Sequence, residues 1–261
     1  MKKSKIFMIL VLLIGITVLT YATRFGGFYG TDWGNTIPPV QAFLDTIDTY
    51  GGLIPVEDVE VQAAAPVQPI ATHYTGGPYA AYVDNWDDYN NAATTGIDDY
   101  EFTYSCEHGA RWKFWVNDGV VDLNDPNFGG GPDIGWGDDR VNWVVLYSCT
   151  VIATPVEVTD WWSVWMANNP YDVMDGVHMV MGFRTPAWIA PAVTVSTQYA
   201  HYICQGGEVL LKWFHAVWYY SWCQTTGYDK ASAVFWPGSQ HDTLTSYSAD
   251  PAPDVLYCWW Y

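Results

Sequence analysis

The chain has 261 residues, half of them apolar and only 15% charged, which excludes a disordered polymer and suits one large domain or two small ones. A formal charge of −18 and a pI near 4.3 set it against nucleic acid and anionic lipid headgroups as partners. Aromatic residues make up 17%, with 16 Trp and 19 Tyr, so either a deep aromatic core or exposed rings that stack on sugars or partners is expected.

At the amino end, Lys2, Lys3 and Lys5 precede an apolar run over 6–19 and the stretch Thr20-Tyr21-Ala22. This is the pattern of a signal peptide over residues 1–22, with an uncleaved N-terminal anchor as the alternative. Either form carries the rest of the chain out of the cytoplasm, so a secreted or extracytoplasmic protein is expected. The later apolar run 213–222 is too short to span a bilayer. A short strand is expected over 24–29. Pro38-Pro39 opens a helix that runs to Tyr50 and stops at Gly51-Gly52. One strand is expected around 59–62, and 66–77 and 82–99 read as loop.

Residues 100–109 form the next strand, with Phe102, Tyr104, Cys106 and His108 on one face and Glu101, Thr103, Ser105 and Glu107 on the other. A hairpin over 111–116 and 120–123 turns at Asn117-Asp118-Gly119, and 124–139 is loop. Residues 143–149 are apolar on both faces, as in a central strand covered by helices on both sides. A helix over 160–168 has Asp160 as candidate cap, and its Trp161, Trp162 and Trp165 have helical spacing that reads as core packing. A strand over 177–183, helices over 192–204 and 208–223, and a strand over 231–236 follow. The expected fold class is α/β: a three-layer sandwich with a mostly parallel sheet flanked by helices and a small β-hairpin insertion. The expected organisation is one domain over 23–240, with a tail over 241–261 packed back on it.

Export makes disulfides permissible. The cysteines are Cys106, Cys149, Cys204, Cys223 and Cys258, an odd number, so at least one stays unpaired within the chain. Cys204 and Cys223 lie at the ends of two expected helices and could be bridged. The rival pairing, Cys106 with Cys149, would silence the most reactive arrangement in the chain. That arrangement is a strand ending in His108-Gly109 and another ending in Ser148-Cys149. If the two are parallel neighbours, an imidazole and a thiol emerge together at the carboxyl edge of the sheet, where ligands of such sheets sit.

The same residues resemble the caspase, legumain and gingipain superfamily of cysteine peptidases (clan CD). In that clan an apolar strand ending in His-Gly and a second ending in a small residue and Cys carry the catalytic dyad. The segment Gly176 to Thr185, with the Trp-rich stretch 161–165 before it, is similar to a family of secreted, uncharacterised caspase-like proteins of bacteria and archaea. The chain departs from the clan at Glu107, where a small residue is commoner, and at Cys106, two residues before the histidine. The resemblance implies a caspase-like fold, Cys149 as nucleophile, His108 as general acid/base, and the backbone N–H groups of Gly109 and Cys149 as oxyanion hole. Residues 31–33 and 184–188 should border the substrate pocket. There Asp32 would favour a basic substrate side chain and Arg184 an acidic one, the plainer reading of both being solvated loop charges.

Other groups carry less. Asp87-Asp88 and Asp138-Asp139 could be paired carboxylates for sugar hydrolysis, but acidic pairs in an acidic protein usually face solvent. A zinc site from Cys106, His108 and Cys149 has suitable ligand types without a spacing motif. His178 reads as a satisfied interior histidine. No Gly-x-Gly-x-x-Gly, phosphate loop or Cys-x-x-Cys is present, and no cofactor is expected. Three functions fit: a secreted cysteine endopeptidase acting on peptide or protein substrates, a catalytically inactive extracellular binding protein on the same scaffold, and a carbohydrate-binding or carbohydrate-active protein using exposed Trp.

Overall fold

A computed structural model describes residues 25–29, 35–50, 59–61, 79–80, 97, 100–116, 119–124, 136, 141–165, 173–174, 176–248 and 255–261. The expected signal segment, Asp32 with its loop, and the acidic pairs at 87–88 and 138–139 lie outside the described residues.

In chain order the strands are β1 (Phe25–Tyr29), β2 (Val59–Val61), β3 (Tyr79–Ala80), β4 (Phe102–Cys106), β5 (His108–Ala110), β6 (Lys113–Trp115), β7 (Val120–Asp122), β8 (Trp143–Tyr147), β9 (Met179–Phe183), β10 (Ala231–Phe235) and β11 (Tyr257–Trp260). The α-helices are α1 (Ile37–Tyr50), α2 (Ala192–Cys204) and α3 (Val209–Tyr220). Eight strands make one sheet in the order β11-β10-β9-β8-β4-β1-β2, with β3 also paired to β1. Pairing is parallel from β2 through β9 and antiparallel for β10 and β11. The mostly parallel α/β sheet expected from the sequence is therefore present. The hairpin insertion is a three-stranded antiparallel sheet, β5-β6-β7.

Local chemistry accounts for these elements. β4, β8, β9 and β10 are buried at every residue, and their runs are apolar on both faces or carry only small polar side chains. In α1 the prolines sit in the first turn, and Val40, Phe43, Leu44 and Ile47 share the buried stripe. The Phe43 ring stacks on Tyr104 of β4 at 4.4 Å. Side chains from α1, α2 and α3 join Phe25, Phe102, Tyr104, Trp143 and Tyr147 in one core on one face of the sheet. On the other face, among the described residues, the cover comes from β6, β7 and loop residues such as Phe114, Val121, Ile152 and Trp165. Helices on both faces were expected; among the described residues the α-helices sit on one.

Three local expectations change. The segment after Asp160 is a 3-10 turn, Trp161–Val164, with no side-chain cap from Asp160. Its Trp165 is fully buried, whereas Trp162 is exposed. All five cysteines are free, so the candidate bridge between Cys204 and Cys223 is not formed. The reason is the helix hairpin. α3 starts shortly after Cys204 and carries the chain about 18 Å, at ~1.5 Å per residue, before Cys223 is reached. A disulfide needs Cα atoms within about 7 Å. The tail contributes β11, which pairs with β10, and the Tyr261 ring lies against Phe214 and Trp218. No helix among the described residues is long and apolar enough to cross a membrane.

Candidate active site

β4 and β8 are parallel neighbours, paired from Phe102 with Trp143 to Cys106 with Tyr147. The strand expected over 100–109 divides at Glu107: β4 ends at Cys106, and His108 opens β5 in the hairpin sheet. The next backbone bond, from Glu107 N–H to the Tyr147 carbonyl at 3.4 Å, keeps the strands together up to that point. His108 is exposed at the start of β5, and Cys149 is half-buried just beyond β8. Gly109 packs directly on the Cys149 backbone. A Cβ there would lie 2.6 Å from the Cys149 carbonyl oxygen and 2.9 Å from its nitrogen. Only glycine permits that approach.

The backbone turns sharply here. Thr150 has φ of 52° and Trp112, at the turn from β5 to β6, has φ of 59°. Left-handed conformations in a β-branched and an aromatic residue are costly, and such outliers cluster at functional sites. The two turns dock on each other, since Trp112 N–H donates to the Val151 carbonyl at 3.1 Å. Among the described residues the Cys149 N–H makes no hydrogen bond.

Among the described residues, one holds the Cys149 sulfur. Ala187 N–H donates to Sγ at 3.3 Å, and the thiol donates to the Ala187 carbonyl at 3.5 Å. The segment 184–188 thus borders Cys149. Arg184 does not present a free charge to it. Its Nη1 meets Glu157 Oε1 at 2.5 Å and its Nε donates to the Tyr261 carbonyl at 3.0 Å. The guanidinium expected to face an acidic substrate group is instead paired within the fold. Burial raises the Glu157 carboxyl, but donors from Thr154 and Arg184 outweigh it and hold the group below its ordinary range.

Cys106 is buried and unbonded, so the rival disulfide with Cys149 is not formed. Burial, then the nearby Glu107 and Cys149 charges, push its thiol well up, which makes it a poor nucleophile. Glu107 and Ser148, the residues next after β4 and β8, are both buried. Glu107 Oε1 and Ser148 Oγ have no hydrogen-bond partner among the described residues, while Glu107 Oε2 accepts from Ser105 Oγ at 3.3 Å. Burial pushes the Glu107 carboxyl well above its usual range, with the Ser105 bond offsetting part of that. No group of three or more metal-ligating side chains is assembled among the described residues.

Sequence reasoning missed one organising residue, Asp229. It is fully buried with φ of 55°, its Oδ1 accepts from Trp188 N–H at 2.7 Å, and its N–H donates to the Pro186 carbonyl at 2.9 Å. It therefore clamps the segment that carries Ala187. Asp tolerates the left-handed region better than most residues, and Gly227-Tyr228-Asp229 does read as a turn, but its partner lies 41 residues away.

A family model described as "Domain of unknown function (DUF6345)" matches residues 56–248, a span that holds His108, Cys149 and Asp229, and the chain belongs to that family. Comparison with curated proteins finds no match.

Proposed function

We propose that this protein is a secreted cysteine endopeptidase with a caspase-like three-layer sandwich fold, hydrolysing peptide bonds through Cys149 and His108. The observation that carries the reading is the β4–β8 register together with the packing of Gly109 on the Cys149 backbone. β4 and β8 are adjacent and parallel, and the segments that follow them meet where Gly109 packs on Ser148 and Cys149, which supports a base and a thiol sharing one rim.

The chemistry follows from the groups. His108 takes the proton of Cys149, and the sulfur attacks the substrate carbonyl carbon. The carbonyl electrons move onto oxygen, facing the Cys149 N–H; the Gly109 N–H is the second candidate donor. Loss of one such donor typically costs ~3–4 kcal/mol. The tetrahedral species collapses, the C–N bond breaks, and His108 returns the proton to the leaving amine. Water then hydrolyses the thioester and frees the thiol. The charge of −18 turns nucleic acid away.

The test is hydrolysis of a denatured-protein substrate by the chain and by Cys149→Ala and His108→Ala. The reading expects measurable cleavage that falls at least ~100-fold in both variants, with unchanged circular dichroism. Cleavage that survives in Cys149→Ala overturns the reading, and no cleavage by the unmodified chain favours the binding scaffold instead.

A further inference from the structure

Three exposed rings stand beside Cys149 without a role. Trp188, Trp222 and Tyr228 are 45%, 43% and 42% exposed. The Trp188 ring lies 5.7 Å from Trp222 and 5.6 Å, edge-on, from Tyr228. Contiguous exposed rings of this kind mark interaction surfaces. Their place in the fold is specific, because Trp188 directly follows Ala187, whose N–H and carbonyl both meet the Cys149 sulfur.

The ring is also held rigidly. Trp188 N–H donates to Asp229 Oδ1 at 2.7 Å, and its carbonyl accepts from the Tyr147 hydroxyl at 3.1 Å. Trp222 N–H donates to Asp229 Oδ2 at 3.2 Å, so one buried carboxylate fixes two of the rings by their backbones. A strained aspartate and a buried tyrosine thus hold aromatic surface open to solvent next to a nucleophile. That arrangement suits recognition better than packing.

We propose that Trp188, Trp222 and Tyr228 form a subsite for an aromatic or bulky aliphatic substrate side chain within two residues of the attacked carbonyl. The inference rests on the peptidase reading above and names its substrate class. Among the described residues, charged side chains lack a partner there. Arg184 is engaged by Glu157 and Tyr261, and both Asp229 oxygens are taken by backbone N–H groups. The overall charge of −18 further opposes acidic side chains. Rings set edge-to-face leave faces and edges on which a further apolar group can pack.

The test uses the full chain and acetyl-dipeptide chloromethyl ketones that carry Phe, Leu, Asp or Arg at either residue. The Cys149 thiolate displaces chloride from the methylene carbon and forms a thioether, so the mass of the Cys149 peptide reports the rate without turnover. Each rate is divided by that of iodoacetamide on the same protein. Phe and Leu probes are expected to react at least about tenfold faster than Asp and Arg probes. That ratio is expected to fall towards one in Trp188→Ala. If Trp188→Ala does not fold, Tyr228→Ala should move the ratio in the same direction.

An Asp or Arg probe as fast as Phe, or a ratio unchanged by both substitutions, overturns the subsite. Aromatic preference in the probes with no peptide cleavage upholds the subsite and removes the peptidase. Cleavage without aromatic preference does the reverse, and a Cys149 inert to every reagent removes both.

Discussion

Gly109 shows how closely the segments after β4 and β8 are fitted. A methyl group there would sit 2.6 Å from the Cys149 carbonyl and 2.7 Å from Ser148 Cβ, and neither can swing away as a long side chain would. Gly109→Ala is therefore expected to cost about 1–3 kcal/mol of stability by overpacking. It should also slow Cys149-dependent cleavage ~100-fold, since misplacement on the order of 1 Å has that effect. Urea denaturation and peptide cleavage check the two numbers separately. Glu107 makes a different residue-level prediction. Its carboxyl holds a proton in the folded protein to higher pH than in the unfolded chain, because burial raises it from the ordinary value of 4.5. Below that value both states are protonated and the group adds no penalty. As pH rises above it, the unfolded chain ionises first and stability falls until the folded group ionises too. Glu107→Gln removes this decline. Thermal melts should show the variant gaining on the wild type at pH 7.5 and not at pH 4; an equal difference at both would contradict the assignment.

At the scale of elements, the segment from Arg184 to Trp188 is governed by partners distant in sequence. Asp229→Ala leaves the buried donors of Trp188 and Trp222 without acceptors, at about 1–3 kcal/mol for each that stays dry. The expected result is faster amide exchange at 186–188 and a lower melting temperature; unchanged exchange there would show that Asp229 is no clamp. The same segment marks where sequence reasoning stops. The strands were legible because their chemistry is local: Phe102, Tyr104 and Cys106 alternate with Thr103 and Ser105, and 143–147 is apolar throughout. The helices were legible from their periodicity, and 192–204 matches α2 from end to end. The assumption that the two strands are parallel neighbours is met by the pairing of β4 with β8. What escaped depends on contacts across the fold. Arg184 meets Glu157 from 27 residues away, and no periodicity announces such a pair. The turn from β5 to β6 hinges on a left-handed Trp112, a conformation that nothing about tryptophan foretells. Cys204 and Cys223 each terminate a helical segment, yet the direction of α3 separates them.

Across the whole molecule, the two ends of the sheet do different work. The carboxyl ends of β4 and β8 carry the open rim, while the amino ends of β8 and β9 are closed by a buried network. There His178 Nδ1 lies 2.6 Å from Asp242 Oδ2, which also accepts from Trp143 Nε1 at 3.3 Å. Asp242 Oδ1 accepts from Ser248 N–H at 2.9 Å, and the Asp242 carbonyl accepts from Val209 N–H at 2.8 Å at the start of α3. The interior histidine read from the sequence is thus a structural tie between sheet, helix and tail. Asp242→Ala should cost about 3 kcal/mol or more, the usual cost of stripping one partner from a buried pair. It should do so without changing the alkylation rate of Cys149 in the protein that remains folded. A large change in that rate would mean the two ends of the sheet are coupled, contrary to this division. The account as a whole turns on His108 acting on Cys149, and alkylation of the folded chain by iodoacetamide at pH 7, mapped by peptide mass, measures that directly. Cys149 should be the first thiol modified, well ahead of the buried Cys106, and His108→Ala should slow its modification at least ~10-fold. Equal rates with and without the imidazole, or a Cys149 that resists the reagent in both, would contradict it.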